Sequence, residues 1–216
     1  GIIAKTLAVF NPNEFKKRDT KIPVPRKSHQ LSIRLTKILI NISGARDNDH
    51  VLDPFCGSGI ILQEAMLLGM HTIGLETDED YLSASQKNLT WVKKQYNPKG
   101  SFKLINQHRK KVATVVPSSD FIITKPYMGP ELKYYPRESE ARKTVTKLRP
   151  QYSNFLKEFK KVVKKRLVFV SPRYKTKSKK EYVLLRPAFV ERHGFNIVKN
   201  IVYSSSGSRM DLDIWV

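Results

Sequence analysis

The stretch VLDPFCGSGIILQEAMLLG at residues 51–69, continued by HTIGLE at 71–76, decides how this chain is read. Val51 and Leu52 run as a short apolar strand into Asp53, and Gly57 and Gly59 then mark a tight turn. Ile60 to Leu68 has the length and apolar content of a helix, stopped by Gly69. His71 to Glu76 reads as a second strand. Thr77, with Asp80 three residues on, has the spacing of a capping box and opens a helix that runs to about Tyr96. Strand, turn, helix, strand is a βαβ unit, so a parallel sheet is expected.

Upstream, apolar spacing predicts a short strand at about Ile2 to Phe10 and a loop rich in Lys, Arg and Pro from Asn11 to Lys27. Leu35, Ile38, Leu39 and Ile42 then recur at helical spacing before Gly44. Downstream, Phe102–Asn106 and Phe121–Thr124 read as the third and fourth strands, with little room between them for a full helix. A helix through Tyr152, Phe155, Leu156, Phe159, Val162 and Val163 leads to a buried-looking strand, Leu167–Val170. A helix near Glu181–Arg192, a turn at Gly194 and two strands, Phe195–Tyr203 and Ser208–Val216, close the chain. The last strand alternates at Met210, Leu212, Ile214 and Val216. The expected fold class is α/β, a doubly wound Rossmann-like sheet with an antiparallel C-terminal hairpin at its edge. Residues 1–45 lead into the fold and residues 46–216 form its core.

The chain has 216 residues and a formal net charge of +21, from 40 Lys and Arg against 19 Asp and Glu. No apolar run reaches the roughly 20 residues of a membrane helix, so no membrane partner is expected. Cys56 is the single cysteine, which excludes a disulfide scaffold and a multi-thiolate zinc site. No apolar leader opens the chain, and a reducing, cytoplasmic setting is expected. A start at Gly1 rather than Met leads us to expect a preceding leader, tag or domain. The charge is polarised. Residues 53–80 hold six acids and no Lys or Arg, whereas residues 125–180 hold 18 Lys and Arg against four acids. One region suits a cation and the other a polyanion such as nucleic acid.

Asp53, Pro54, Phe55, Cys56, Gly57, Ser58 and Gly59 occupy the strand-to-helix turn, where open α/β sheets bind ligands. A dinucleotide site would want a third glycine where Leu62 stands, and would set pyrophosphate beside the Asp53 carboxylate, which repels it. That carboxylate suits the ammonium and sulfonium of S-adenosylmethionine. Glu76, 19 residues beyond Gly57 at the end of the second strand, suits two ribose hydroxyls, with Thr77 beside it.

At these residues a family resemblance becomes visible. Asp53 to Gly59 with Gln63-Glu64-Ala65 resembles motif I of the tRNA guanine-N2-methyltransferases, the archaeal guanine-10 type and its eukaryotic relatives. Lys17-Arg18-Asp19, followed by a Pro-rich stretch and the helix ending Ile40-Asn41, is similar to the segment that precedes that motif. Gly194-Phe195 with Ser208-Arg209 resembles the closing hairpin. The resemblance implies methylation of an exocyclic base amine, guanine N2 of tRNA first, with S-adenosylmethionine as cofactor and RNA as partner. The family carries an RNA-binding THUMP module that this sequence lacks, so a separate or missing RNA-binding domain or subunit is expected. After the third strand the family has an adenine-binding Asp; here the stretch reads Gln107-His108-Arg109. Its base motif is Asp or Asn followed by Pro-Pro-Tyr; here Thr124 and Lys125 precede the matching Pro126 and Tyr127.

Thr124, Lys125, Pro126 and Tyr127 are accordingly the candidate catalytic set. The Thr124 hydroxyl and the Lys125 carbonyl are expected to accept from the base amine, the Lys125 ammonium to point outward to an RNA phosphate, and Tyr127 to stack on the flipped base. Cys56 reads as a small packing residue rather than a nucleophile. The five histidines show no metal-ligand spacing, and no metal site is expected. Of these, His29 and His108 are placed near the cofactor. Tyr134 and Tyr135 fit core or loop equally. Two rival functions remain: a DNA amino-methyltransferase, which would also flip a base, and a degenerate methyltransferase serving as an RNA-binding or ribonucleoprotein scaffold.

Overall fold

A computed structural model of the chain describes residue 5 and residues 12–25, 30–107, 111–204 and 208–216. The strand expected at Ile2–Phe10 falls almost wholly outside the described residues, as do His29 and His108. The elements run α1 (Pro12–Thr20), α2 (Ile33–Ser43), β1 (His50–Asp53), α3 (Ile60–Leu67), β2 (His71–Glu76), α4 (Glu79–Tyr96), β3 (Phe102–Asn106) and α5 (Val112–Val115). They continue with β4 (Ser119–Thr124), α6 (Glu138–Val162), β5 (Val163–Lys175), β6 (Glu181–Val183), α7 (Pro187–Glu191), β7 (Asn200–Tyr203) and β8 (Met210–Trp215).

The eight strands form one sheet in the order β3-β2-β1-β4-β5-β8-β7, with β6 pairing on β5. Pairs β3/β2, β2/β1, β1/β4 and β4/β5 are parallel, while β5/β8, β8/β7 and β5/β6 are antiparallel. Strand order reverses between β1 and β4, which opens a crevice at their carboxyl ends. Side chains alternate between two cores. Leu52, Ile122, Phe169 and Trp215 face α6, whereas Val51, Ile123, Val168 and Ile214 face α2 and α3. Leu35, Leu39 and Ile40 of α2 belong to that second core. The leading segment is therefore packed on the same sheet as the rest.

Several elements differ from the sequence reading. The basic stretch read as a loop contains α1, because Arg18 is buried against Glu64 of α3, with Nε–Oε1 at 2.8 Å and Nη2–Oε2 at 3.1 Å. A tertiary ion pair leaves no apolar period to read. Helix α4 is capped by Asp78, not Thr77: its carboxylate accepts from Asp80 N at 3.0 Å and Tyr81 N at 3.1 Å. Helix α6 starts at Glu138 and continues through Pro150. Its buried stripe, Ala141, Val145, Leu148, Tyr152, Phe155, Phe159, spans the proline, and that packing outweighs the lost hydrogen bond. The helix expected near Glu181–Arg192 is instead β6 followed by the short α7, since β5 extends to Lys175 and offers β6 a partner. Pro187 sets the start of α7.

The terminal hairpin forms, but β8 lies inside the sheet and β7 takes the edge. Asp211 and Asp213, on the side the alternation marks as solvent-facing, are consequently buried. They pair with Lys175 and Arg173, each at 2.8 Å.

Candidate active site

The crevice is built first from main chain. Gly57 (φ 53°) and Gly59 (φ 87°) both lie in the left-handed region. At Gly59 a Cβ would come within 2.5 Å of Ser85 Oγ. Glycine is required there on both counts. The turn thus brings the end of β1 against the end of β2: Glu76 Oε2 accepts from Gly57 N at 3.1 Å, and Oε1 from Thr77 N at 2.8 Å and Asp78 N at 3.1 Å. From the N-terminal side, Gln30 Oε1 accepts from Ser58 Oγ at 2.9 Å. Asn88 of α4 exchanges hydrogen bonds with the main chain of Val24 and also donates to Ser58 O. Segment 22–25 is clamped onto the turn in this way.

Asp53 is buried, and its Oδ1 accepts from Phe55 N at 3.0 Å and Thr124 Oγ1 at 2.6 Å. Burial pushes the carboxyl up to about 7; those two hydrogen bonds hold it down, the Glu76 charge adds to the rise, and the Lys125 charge opposes it. Lys125 is half-buried and its pKa is lowered, by desolvation first, with Asp53 working the other way. Its ammonium therefore lies in the field of Asp53 and is partly withdrawn from water, contrary to the outward orientation expected from the sequence.

Thr124 requires a second correction. It is fully buried, does not line a cavity at the crevice, and its hydroxyl proton is committed to Asp53. A buried hydroxyl behind the carboxylate positions that carboxylate and has no free approach to a base. Pro126 and Tyr127 do reach the crevice, where with Asp53, Glu76 and Lys125 they line a cavity of about 190 Å³. Phe55, Cys56, Gly57 and Ser58 also line it, whereas Pro54, Gly59 and Thr77 do not. Phe55 also packs edge-on against Phe155 of α6, centroids 4.7 Å apart. Burial raises the Cys56 thiol well above its ordinary value. Its sulfur packs with Leu62, Met66, Leu89 and Val92, the environment of an inert thiol.

A second cavity, about 740 Å³, adjoins the first and shares Gln30, Leu31, Lys125 and Tyr127 with it. Its floor is the loop after β4. Two buried tyrosines hold that loop by its carbonyls: Tyr152 of α6 donates to Tyr127 O at 3.2 Å, and Tyr174 of β5 donates to Met128 O. Gly129 (φ 91°) lets the tyrosine approach, since a Cβ there would meet the Tyr174 hydroxyl. With its main chain pinned, Tyr127 presents a ring that is 50% exposed. Sequence reasoning missed Gln30, Tyr81, Tyr152 and Tyr174. Tyr152 carried only an apolar period, and Tyr174 lay beyond the strand read at Leu167–Val170, so neither gave a sign of a polar partner.

These are the geometric terms in which known proteins compare. A family model described as DNA methylase matches residues 6–87. The tRNA (guanine(10)-N2)-dimethyltransferase of Methanothermobacter thermautotrophicus is 35% identical over 89 residues, 41% of this chain and 26% of the relative. The tRNA (guanine(10)-N2)-dimethyltransferase of Methanocaldococcus jannaschii is 39% identical over 56 residues, 26% of this chain and 16% of the relative. The matches thus span about a quarter of the first relative's length and less of the second's. Among solved structures, TrmN from Thermus thermophilus superposes with a TM-score of 0.66 at 21% identity, covering 92% of this chain and 52% of that one. The magnesium protoporphyrin IX methyltransferase ChlM of Synechocystis PCC 6803, solved with bound SAM, has a TM-score of 0.57 at 14% identity and covers 98% of this chain and 99% of its own. The fold is the Rossmann-like fold of methyltransferases, as the motif I turn implies.

Proposed function

We propose that this chain is the catalytic part of an S-adenosylmethionine-dependent methyltransferase acting on the exocyclic amine of guanine, N2, in tRNA. The observation that carries the reading is the junction of two cavities at Lys125 and Tyr127, one walled by two acids and a glycine turn, the other floored by the loop that presents Tyr127. The residues fit the cofactor. A Cβ at Gly57 would meet nothing nearer than Gln30 Nε2 at 3.7 Å, so the main chain is open to close approach. Asp53 and Glu76 together favour a cationic ligand over a phosphate. Asp53 would hold its ammonium and Glu76 its ribose hydroxyls.

When bound, the cofactor supplies a methyl group activated by a sulfonium. The chain's own work is to orient the nucleophile, because the lone pair of a base amine is delocalised into its ring. Tyr127 offers a face on which an unpaired guanine stacks. The Lys125 carbonyl accepts from the amine and turns its lone pair toward the cofactor cavity. Thr124 acts one step back, by fixing the Asp53 carboxylate. The pinned carbonyls of Tyr127 and Met128 keep the loop in place without reorganisation during the reaction.

The family model described as DNA methylase favours a second reading, transfer to an amine of a flipped DNA base. Labelled methyl donor offered with unmodified tRNA and with duplex DNA separates the two. Label recovered as N2-methylguanine from digested tRNA, and lost in Tyr127→Ala, is the expected result. Label in DNA alone replaces the substrate, and cofactor binding with transfer to neither favours the scaffold.

A further inference from the structure

We propose that the groove between α6 and the β6–α7 segment is a second nucleic-acid site, one that takes phosphodiester groups of the substrate backbone while the base occupies the crevice. The groove encloses about 590 Å³ and is lined by Arg142 and Arg149 of α6, by Arg186 and Arg192 at either end of α7, and by Tyr182 and Phe189. Arg142 and Arg149 are two helical turns apart on one face, about 10 Å along the axis. Arg18 pairs with Glu64, and Arg173 with Asp213 and Glu181, whereas the four groove arginines are exposed. Among the described residues, none of the four groove arginines forms an ion pair. The lining carboxylate, Glu181, is taken by Arg173 at 2.8 Å.

What contacts these arginines do make orient them without neutralising them. Arg149 Nε donates to Leu184 O at 3.1 Å, and the Arg192 guanidinium lies over the Phe189 ring at 4.3 Å. Arg142 also meets the Tyr182 hydroxyl and lies in the field of Glu138, yet four guanidinium groups around one lining carboxylate leave an excess of positive charge, which a polyanion relieves with bidentate hydrogen bonds. The basic lining does not stop at the groove. Lys143 and Lys147, with Ser139 and Thr146, continue it along α6 in an adjoining hollow. A track of cations suits a polymer backbone better than a single small anion.

The groove is also mechanically tied to the crevice. In the β5/β6 pairing Tyr182 lies opposite Tyr174, whose hydroxyl holds Met128 O. Helix α6 carries both the groove arginines and Tyr152, which holds Tyr127 O. One strand pair and one helix thus set the backbone track relative to the base loop.

This inference rests on the nucleic-acid substrate proposed above, and the test separates the two. Fluorescence anisotropy would follow binding of unmodified tRNA and of duplex DNA at several salt concentrations, with cofactor calorimetry on the same preparations. Arg142→Glu/Arg186→Glu should weaken nucleic-acid binding about tenfold or more and lower the salt slope by about 1 to 2, because two contacts that release counterions are lost. Cofactor affinity should be unchanged. Arg142→Gln/Arg186→Gln should show a smaller loss in the same direction, and it decides the matter if the Glu pair does not bind cofactor. Lys93→Glu/Lys103→Glu, exposed on the opposite edge of the sheet, is the control. Groove variants that bind no more weakly than this control overturn the site while leaving the tRNA reading intact. If the wild type binds DNA but not tRNA, and the groove variants lose DNA, the groove stands and the tRNA reading falls. If the wild type binds neither nucleic acid, both fall.

Discussion

The two walls of the crevice are specified in different ways. The wall around Asp53 and Glu76 is local: its glycines, acids and backbone donors fall within residues 53–78, and Gly57 N meets a carboxylate only 19 positions away. The wall formed by the loop after β4 is not. Its carbonyls are held by tyrosines 25 and 46 positions distant, and of its own residues Gly129 serves to admit one of them. The acids Asp53 and Glu76 stand on the first wall, the second carries Arg209 and Glu131, and Lys125 lies at the boundary. A local wall can be recognised by its spacing. A wall held at long range keeps its shape only while two other elements stay docked.

The largest effect should come from a buried ion pair that ties the helix behind the local wall to distant sequence. Arg18→Ala leaves Glu64 buried without its bidentate partner. We expect a loss of about 3–5 kcal/mol in denaturant unfolding, the range for breaking a buried pair. The Arg18→Met/Glu64→Leu double variant should recover most of it. A loss near zero in Arg18→Ala would show that α1 is not part of the wall's support.

A smaller effect is expected on the second wall. Tyr174→Phe deprives a buried carbonyl of its donor, at about 1–3 kcal/mol. The sharper readout is functional: kcat should fall while the cofactor Kd stays level, because the hydroxyl supports only the base loop. If both parameters move together, the two walls are one cooperative unit and the distinction fails.

The third effect lies at the boundary and concerns pH. Asp53 titrates at about 7, so it is protonated below that pH and ionised above. A cationic ligand needs the ionised form. Cofactor affinity should therefore fall as pH drops through 7, approaching tenfold per unit, or about 1.4 kcal/mol, well below it. Asp53→Asn should bind weakly with a flat profile. Lys125→Met removes the cation that favours ionised Asp53, and should move the midpoint upward by less than a unit. Calorimetry across pH reads all three proteins, and an unshifted midpoint in Lys125→Met would put its ammonium outside the field of Asp53.

Much of the first wall was legible in the sequence because it depends on short-range geometry. Positive-φ glycines after an apolar strand, an acid closing the next strand, and a helix stopped by Gly69 each leave a mark within a few residues. The parallel pairing of β1 with β2 follows from the same local pattern, strand, helix and strand. The parts that were not legible depend on contacts across the fold. Helix α1 forms around an ion pair 46 residues apart. Helix α6 passes Pro150 because a buried stripe on both sides holds it.

The sequence by itself determined the βαβ core, the turn and the separation of acidic from basic regions, because these follow from residue type and period alone. Only the tertiary structure decided that Thr124 stands behind Asp53 rather than facing a base, that Lys125 turns inward, and that β8 lies within the sheet with its aspartates buried. It alone gathered Arg142, Arg149, Arg186 and Arg192, spread over 51 positions, into one groove. The physical reason is common to all four. What surrounds a polar or charged group is settled by what the rest of the chain brings to it, and that information has no local period.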